Sequence, residues 1–305
     1  MAAEPVVIEQ KHMDTRVTLT VHPGLGGCDR ERLAEAIRGV FAGLEDVFSL
    51  FRPDSEIVRL NAAAGRPTAA SDIFLRALRS ALAMAEETGG VFDPLVGRLT
   101  APGGAELAAG RRPNWRQIAV DDVARTVTLP AGGVLDLNSA AKGLALDLAM
   151  EEVVRLGGED AGAIIETGGD IRVHGLPPGK GAWDIGIRDP FRVERVAAVL
   201  PVRSGAVCTS GNYFRSTSAL AAGRRHLVDP RPDAGPSGDA ASMTVLAPTA
   251  EQADILSTAA FLLPPREAAP FVERHAGCSC LFIDAAGGLF VSPSLKETIY
   301  AHVRA

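Results

Sequence analysis

Residues 135–143 read Leu-Asp-Leu-Asn-Ser-Ala-Ala-Lys-Gly and mark the passage from an apolar strand into a helix. The strand is predicted over 133–137, and Asn138 or Ser139 is predicted to cap the helix. Such a helix start offers free N–H groups and the positive end of the helix dipole, to which Lys142 adds a charge. This arrangement suits a phosphate group. The alternative is a capped surface helix with a solvated lysine.

Strand and helix patterns interleave along the rest of the chain. Strands are predicted over 16–21, 117–121, 126–129, 163–166, 183–187, 196–202 and 242–246, with a strand pair over 279–292. Helices are predicted to begin at Asp29, Ser71 and Thr249, and loops are predicted over 98–116 and 203–240. Because the strands do not alternate strictly with helices, the pattern favours an α+β fold with mixed or antiparallel sheets. No linker or repeat divides residues 1–305, which are therefore predicted to form a single domain.

Composition excludes several classes of function. The 305 residues include 31 basic and 37 acidic side chains, giving a net charge of −6, and only 5% are aromatic. Such a chain repels a phosphate backbone and has few rings for base stacking, so nucleic acid is not an expected partner. No signal peptide or apolar run of about 18 residues is seen, which predicts a cytoplasmic protein without a membrane span. The alternative is an exported protein whose leader has been removed. The four cysteines are predicted to be buried free thiols.

The helix predicted to begin at Thr249 carries three oxygen-bearing side chains on one face. Asp254, Ser257 and Thr258 stand at positions i, i+3 and i+4, among residues that are otherwise apolar. A carboxylate with two hydroxyl groups is a hard oxygen set, which suits Mg²⁺ better than zinc. The alternative is a polar stripe that faces solvent.

A histidine and an aspartate lie close together in the segment 226–230, which reads His-Leu-Val-Asp-Pro. His226 can titrate near neutral pH, although a structural histidine is the simpler interpretation of this residue alone. The segment 166–170, Glu-Thr-Gly-Gly-Asp, predicts a glycine turn after a buried strand, where backbone can approach a ligand closely.

Taken in order, these segments resemble the FAD:protein FMN transferases, the ApbE family of flavin transferases. The resemblance extends from residue 13 to about residue 262. The segments that carry it are 13–15 (Met-Asp-Thr), 51–56 (Phe-Arg-Pro-Asp-Ser-Glu), 89–97 (Gly-Gly-Val-Phe-Asp-Pro-Leu-Val-Gly), 136–143, 166–171, 209–213 (Thr-Ser-Gly-Asn-Tyr), 226–230 and 254–258.

The resemblance implies an ApbE-like, T-fold-related architecture and transfer of the FMN half of FAD, with loss of AMP, to a threonine hydroxyl of an acceptor flavoprotein. It implies an FAD site lined by Met13, Phe51, Gly90, Val91, Phe92, Asp136, Lys142 and Val228. It implies Mg²⁺ ligands at Asp254, Ser257 and Thr258, with a backbone carbonyl from about Ser139. His226 matches the histidine proposed to assist the acceptor hydroxyl, and Asp229 is a second candidate base.

The chain departs from the family pattern at several positions. Asp14 stands where glycine often follows the first methionine, a Trp-Gly-Phe-Gly segment is missing after Gly97, and the usual turn after Pro230 is altered. Ser257 occupies a position that is often alanine or aspartate. Two alternative functions stay open: an FAD pyrophosphatase that releases FMN and AMP, and a flavin-binding protein without turnover.

Overall fold

The computed structural model describes residues 4–24, 27–211, 227–230, 240–296, 299 and 301–302. In chain order, the strands of this part are β1 (Val6–His12), β2 (Thr15–His22), β3 (Thr68–Ala69), β4 (Ala119–Asp121), β5 (Thr126–Thr128), β6 (Gly162–Thr167), β7 (Asp170–His174), β8 (Trp183–Arg188), β9 (Val196–Val202), β10 (Gly205–Gly211), β11 (Ala240–Ala247), β12 (Ser279–Asp284), β13 (Leu289–Val291) and β14 (Ala301–His302). The helices are α1 (Arg30–Phe48), α2 (Glu56–Ala62), α3 (Asp72–Glu87), α4 (Gly97–Thr100), α5 (Gly104–Ala108), α6 (Asn138–Gly157), α7 (Ala250–Leu262), α8 (Pro265–Glu273) and α9 (Pro293–Lys296).

A large sheet of eight strands organises the molecule. Its strands lie in the order β1-β2-β6-β7-β10-β11-β12-β13, and two three-stranded sheets, β14-β9-β8 and β3-β5-β4, accompany it. All strand pairs in the described residues are antiparallel. Helices and antiparallel sheets combine in this way in an α+β fold, which confirms the predicted fold class.

The two faces of the large sheet pack against different layers, as the alternation of side chains along β12 shows. Cys280 and Phe282 belong to the main core, which also contains the buried residues of α1, α3, α6 and α7. Leu281 and Ile283 belong to a second core, shared with the inward side chains of β8 and β9. Because successive side chains of a strand point to opposite faces, the helices cover one face of the large sheet and the sheet that contains β8 and β9 covers the other.

Helices α6 and α7 cross in close contact beside the large sheet. A Cβ atom on Gly143 would overlap the carbonyl oxygen of Ala250 and would lie 2.7 Å from the Cα of Glu251, so only glycine fits here. The carboxylate of Asp147, on α6, accepts hydrogen bonds of 2.9 Å from the amides of Ala250 and Glu251. One side chain of α6 thus fixes the start of α7, because the first amides of a helix have no partner within it.

The segment 133–137 is not a strand, contrary to the sequence prediction. The amide of Leu135 donates to the Oδ1 of Asn61 at 2.7 Å, and the Nδ2 of Asn61 donates to the carbonyl of Leu135 at 3.0 Å. The amide of Asp136 donates to the carbonyl of Pro94. A side chain and a turn therefore satisfy the backbone that a neighbouring strand would otherwise pair.

The predicted cap of the following helix is also wrong. Asn138 and Ser139 lie inside α6, and Leu137 is the residue before it. The Oδ1 of Asp136 accepts the amide of Asn138 at 3.0 Å, which is the role that the sequence analysis gave to Asn138 or Ser139. Since Asp136 also has the side chain of a good capping residue, the error is one of position.

The two long predicted loops contain regular structure. The segment 98–116 includes α5 and most of α4, and the segment 203–240 includes the whole of β10. Strand β10 lies inside the large sheet but was not recognised, because its polar residues Thr209 and Ser210 interrupt the apolar pattern of a buried strand. Both residues belong to the site described below. The strands and helices predicted elsewhere are present. The elements that were not predicted are β1, β3, β7, β14, α2, α8 and α9.

Two further sequence predictions concern membranes and thiols. In the described part of the chain, no helix is long and apolar enough to cross a membrane. All four cysteines are free, and Cys208, Cys278 and Cys280 are buried, whereas Cys28 is partly exposed. The prediction of buried free thiols is therefore confirmed at three of the four positions.

Candidate functional site

A lysine and two buried aspartates meet where α6, α7 and the large sheet come together. The ammonium group of Lys142 contacts the carboxylate of Asp170 and lies 3.4 Å from both oxygens of Asp254. Asp170 and Asp254 are 2% and 3% exposed, so bulk water hardly reaches either carboxyl group. The first turns of α6 therefore present a cation that two carboxylates hold in place, rather than a solvated lysine.

Asp170 takes its position from the tight turn between β6 and β7. Gly168 and Gly169, the two residues of this turn, have φ values of 59° and 94°, which strongly favour glycine. Asp170 follows directly as the first residue of β7. Its Oδ1 accepts the amide of Thr209, on β10, at 3.1 Å. The glycine turn predicted from the sequence is present, and it delivers a carboxylate that the sequence analysis left without a role.

Burial and the neighbouring charges of the cluster shift the pKa values of Lys142 and Asp254. Burial raises the pKa of Asp254 to about 7, against the opposing effect of the positive charge of Lys142. Burial alone would lower the pKa of Lys142, but Asp170 and Asp254 outweigh it and raise that pKa above its ordinary value. Lys142 is thus a permanent cation at neutral pH, and Asp254 is poised between its two protonation states.

The oxygen face of α7, consisting of Asp254, Ser257 and Thr258, points into the protein. The three residues are 3%, 0% and 8% exposed, so the interpretation as a solvent-facing stripe is wrong. The amide of Gly143 donates to the Oδ2 of Asp254 at 3.1 Å. The hydroxyl groups of Ser257 and Thr258 both lie within 3.1 Å of the Oγ of Ser210.

The chemistry of the oxygen face fits a magnesium ion. Asp254 and Thr258 offer a carboxylate and a hydroxyl one helical turn apart, and Mg²⁺ takes few protein ligands when phosphates supply the others. Ser139 lies one helical turn before Gly143, whose amide donates to Asp254, so Asp254 lies against the first turns of α6, to which Ser139 belongs. No group of three or more His, Cys, Asp or Glu in the described residues could hold a metal. The fit therefore depends on hydroxyl and carbonyl oxygens.

The residues predicted to line the flavin site differ in how far their side chains are exposed. Val91 and Phe92 are buried in the main core, so only their backbone can reach a ligand, whereas Phe51 is 78% exposed. Met13 and Asp14 form the two-residue turn between β1 and β2 with φ values of 49° and 56°. Because aspartate tolerates this left-handed region better than most residues, Asp14 can replace the glycine that is usual in the family.

Hydrogen bonds join three of the predicted flavin segments. The hydroxyl of Thr100 donates to the Oδ2 of Asp136 at 2.6 Å. Arg98 donates to the carbonyl of Pro230 at 2.6 Å, which brings the segment 227–230 against α4. Val228 and Asp229 belong to that segment, whereas His226 lies outside the described residues. Asp136 lies just before α6 and Lys142 lies near its start, and α4 contacts both Asp136 and the segment that contains Val228.

The sequence analysis missed a network of hydrogen bonds and ion pairs that holds α7 in place beside the lysine–aspartate cluster. Asp147 accepts from the Nε of Arg172, on β7, at 3.0 Å, in addition to the two amides of α7. Glu251, in the first turn of α7, accepts from Arg76 at 2.8 Å and from Ser80 at 2.7 Å. The spacing of Lys142 and Asp147 predicts nothing by itself, because the partners of these two residues are 25 to 112 residues away. These contacts fix α7, and with it the oxygen face.

Comparisons with known proteins agree with this arrangement. A sequence model of the ApbE family matches residues 13–282. An FAD:protein FMN transferase of Treponema pallidum is 32% identical over 284 residues, covering 80% of this chain and 77% of that protein. One from Rhodobacter capsulatus is 30% identical over 81% of this chain, which spans about half (49%) of that relative.

A solved structure gives the same result for the fold. The crystal structure of the ApbE protein from Thermotoga maritima covers 98% of this chain and is itself covered fully, with a TM-score of 0.85 and 27% identity. The family match extends over most of the chain and includes every element that builds the lysine–aspartate cluster. The chain belongs to the ApbE family.

Proposed function

We propose that this protein is an FAD:protein FMN transferase that moves the FMN half of FAD to a threonine hydroxyl of an acceptor flavoprotein. The observation that carries the proposal is the buried contact between Lys142 and Asp254, which joins a fixed cation to a carboxylate of the oxygen face. The T. pallidum relative is named an FAD:protein FMN transferase, which supports the transfer of FMN from FAD to a protein. A cation next to a hard-oxygen site suits the binding of a pyrophosphate group.

Mg²⁺ belongs to the proposal as the metal of the oxygen face. Asp254 and Thr258 would hold it, with the carbonyl of Ser139, and Ser257 was also predicted as a ligand. When bound, Mg²⁺ would neutralise charge on the pyrophosphate oxygens. MgCl₂ is therefore expected to be required for turnover.

Lys142 is proposed to bind a phosphate oxygen directly. An ammonium group has three N–H donors, and the carboxylates of Asp170 and Asp254 account for two of them. The third donor is left for a ligand. Because the pKa of Lys142 lies above its ordinary value, the group stays charged while phosphate is bound and released. Lys142 thereby stabilises negative charge that develops on the phosphate during transfer.

The flavin half of FAD is proposed to contact the predicted flavin-site residues outside the lysine–aspartate cluster. Met13, Phe51, Asp136 and Val228 are the side chains proposed there, and the segment 90–92 would contribute backbone. The exposed ring of Phe51 offers an apolar surface to the isoalloxazine ring.

The transfer itself forms one bond and breaks one. The threonine Oγ of the acceptor bonds to the phosphorus of the FMN phosphate, the bond from that phosphorus to the bridging oxygen breaks, and AMP leaves with that oxygen. The hydroxyl proton goes to a base, and His226 is proposed for this role, with Asp229 as the second candidate. A cytoplasmic location is part of the same prediction.

The proposal is tested by incubating the protein with FAD, MgCl₂ and a candidate acceptor flavoprotein. We expect a fluorescent acceptor band in a denaturing gel and one AMP per flavin attached, both abolished by EDTA and by D254N. An acceptor with valine in place of the target threonine should stay dark. AMP with free FMN and no band would establish a pyrophosphatase instead, and bound but unchanged FAD would refute catalysis.

Comparing two variants identifies the base. H226A and D229N should both bind FAD as the unaltered protein does, which fluorescence quenching of FAD measures. The variant that loses transfer at neutral pH and regains part of it at higher pH lacks the base, because hydroxide can then remove the threonine proton. If H226A transfers at the unaltered rate, His226 is not the base.

A further inference from the structure

Three buried hydroxyl groups, two of them on the oxygen face, are linked in a row by hydrogen bonds. The Oγ of Ser210, on β10, lies 3.1 Å from the Oγ1 of Thr258 and 2.9 Å from the Oγ of Ser257. The Oγ of Ser257 lies in turn 3.0 Å from the backbone carbonyl oxygen of Asp254. Ser257 is fully buried and the two other hydroxyl-bearing residues are 8% exposed. The contacts run from Thr258 through Ser210 and Ser257 to a carbonyl.

The carbonyl at the end of this chain decides the direction of every proton in it. A carbonyl oxygen only accepts, and a hydroxyl has a single proton, so Ser257 must spend its proton on the carbonyl of Asp254. Ser257 then accepts from Ser210. Ser210 has no second proton, so it accepts from Thr258. Thr258 therefore donates its proton toward β10.

We infer that Ser210 and Ser257 are positioning residues that prepare Thr258 to bind a divalent cation. With its proton held by Ser210, the Oγ1 of Thr258 keeps both lone pairs for other partners, and among the described residues no other donor is seen to reach it. A hydroxyl ligates a cation through a lone pair, and a proton turned toward the cation would repel it. The inference rests on the proposed function, because it takes Asp254 and Thr258 as metal ligands.

The same direction of protons changes the role of Ser257. The resemblance implied that Ser257 is a metal ligand, but its proton serves the carbonyl of Asp254 and one of its lone pairs serves Ser210. Ser257 then acts through Thr258 rather than on the cation. The oxygen face thus divides into two ligands, Asp254 and Thr258, and one residue that orients them.

Mn²⁺ binding to the metal-free protein, followed by electron paramagnetic resonance without FAD, measures this effect apart from catalysis. Outer hydrogen-bond partners of metal ligands typically affect affinity by 10- to 100-fold, so S210A should weaken Mn²⁺ binding by about 10-fold. T258V should weaken it at least as much, whereas T258S should retain it. S257A should weaken Mn²⁺ binding less than T258V does, because Ser210 can still accept from Thr258. In a protein that already carries T258V, S210A should not weaken Mn²⁺ binding further.

T244V is the matched control. It removes another buried hydroxyl of the same sheet, whose partner is the hydroxyl of Thr209 at 2.9 Å, and it should leave Mn²⁺ affinity unchanged. Thermal melting of each metal-free variant shows that it is folded.

Several results would overturn the inference, and they differ from failure of the function itself. Unchanged affinity in S210A, an additive loss in the S210A/T258V double variant, or an equal loss in S257A and T258V would each refute the orienting chain. If D254N binds Mn²⁺ as well as the unaltered protein, or if the unaltered protein binds none, the metal site fails and the inference fails with it.

Discussion

Gly143 and Ala250 bring two helices into backbone contact at the site. A side chain on Gly143 would overlap the carbonyl of Ala250, so α6 and α7 approach as closely as the backbone allows. This approach places the amide of Gly143 within 3.1 Å of the Asp254 carboxylate. The glycine beside Lys142 is therefore a requirement of the oxygen face and not only of packing.

G143A should separate the two helices. Inserting a methyl group against backbone in a packed core costs about 1–3 kcal/mol, and the displaced Asp254 should reduce FMN transfer by more than the loss of stability explains. Urea unfolding and the transfer assay measure the two effects. The control is G157A on the same helix, where a Cβ would lie 3.6 Å from the Ala161 side chain in ordinary contact. Equal behaviour of the two variants would contradict the close-contact interpretation.

K142M should leave the buried carboxylate of Asp170 and the buried carboxyl group of Asp254 without a cation. Removing one partner from a buried ion pair costs about 3–5 kcal/mol, so the free energy of unfolding in urea should fall by that amount. K180M is the matched control, since Lys180 pairs with Asp184 at 3.7 Å where both side chains are more than half exposed. That variant should change stability by less than about 1 kcal/mol. Similar losses in both would show that the cluster is open to solvent.

The raised pKa of Asp254 gives the metal-free protein a pH dependence of known sign. Because burial raises this pKa to about 7 in the folded state, the folded protein binds a proton that the unfolded chain has lost. Between about pH 4 and pH 7, stability relative to D254N should therefore fall as pH rises, by about 1 kcal/mol per unit, and level off above. Urea unfolding in EDTA from pH 5 to 8 measures the slope. A difference that grows with pH would contradict the assignment.

The thiols should differ sharply in reactivity. Burial raises the pKa of Cys278 to about 11, that of Cys280 to about 12, and that of Cys208 well above its ordinary value. Cys28 alone is partly exposed. With DTNB at pH 8, one thiol should react in the folded protein and four in denaturant, and C28S should show none in the folded state. A second rapid thiol in C28S would show that one of the buried cysteines becomes accessible.

The helices and most strands could be predicted because their signals are local. The stripe of Leu33, Ile37 and Phe41 and the cap at Asp29 define α1 without reference to any other part of the chain. The segment 133–137 was mistaken for a strand because its partner is the side chain of Asn61, 74 residues away. A strand pattern reports apolar alternation, and it does not report what the backbone is bonded to.

In the site, too, residues with a local sequence signal were predicted and those that depend on distant partners were not. Asp254, Ser257 and Thr258 were found because helical spacing places them on one face. Asp170 was quoted in its motif but given no role, since nothing in residues 166–170 indicates that a lysine from another element will meet its carboxylate. The order of protons between Ser210 and Thr258 needs atomic distances, which no spacing contains.

The separations along the chain have a consequence for folding. Lys142 and Asp254 are 112 residues apart, and Asp147 and Glu251 are 104 apart, yet these pairs hold the site together. Contacts between distant residues form slowly, since long loops must close before the contacts are made. A chain that has not yet docked α7 has neither the oxygen face nor a partner for Lys142 other than Asp170. Ligand binding at this site would therefore report that nearly the whole polypeptide, from β1 to α7, has reached its native arrangement.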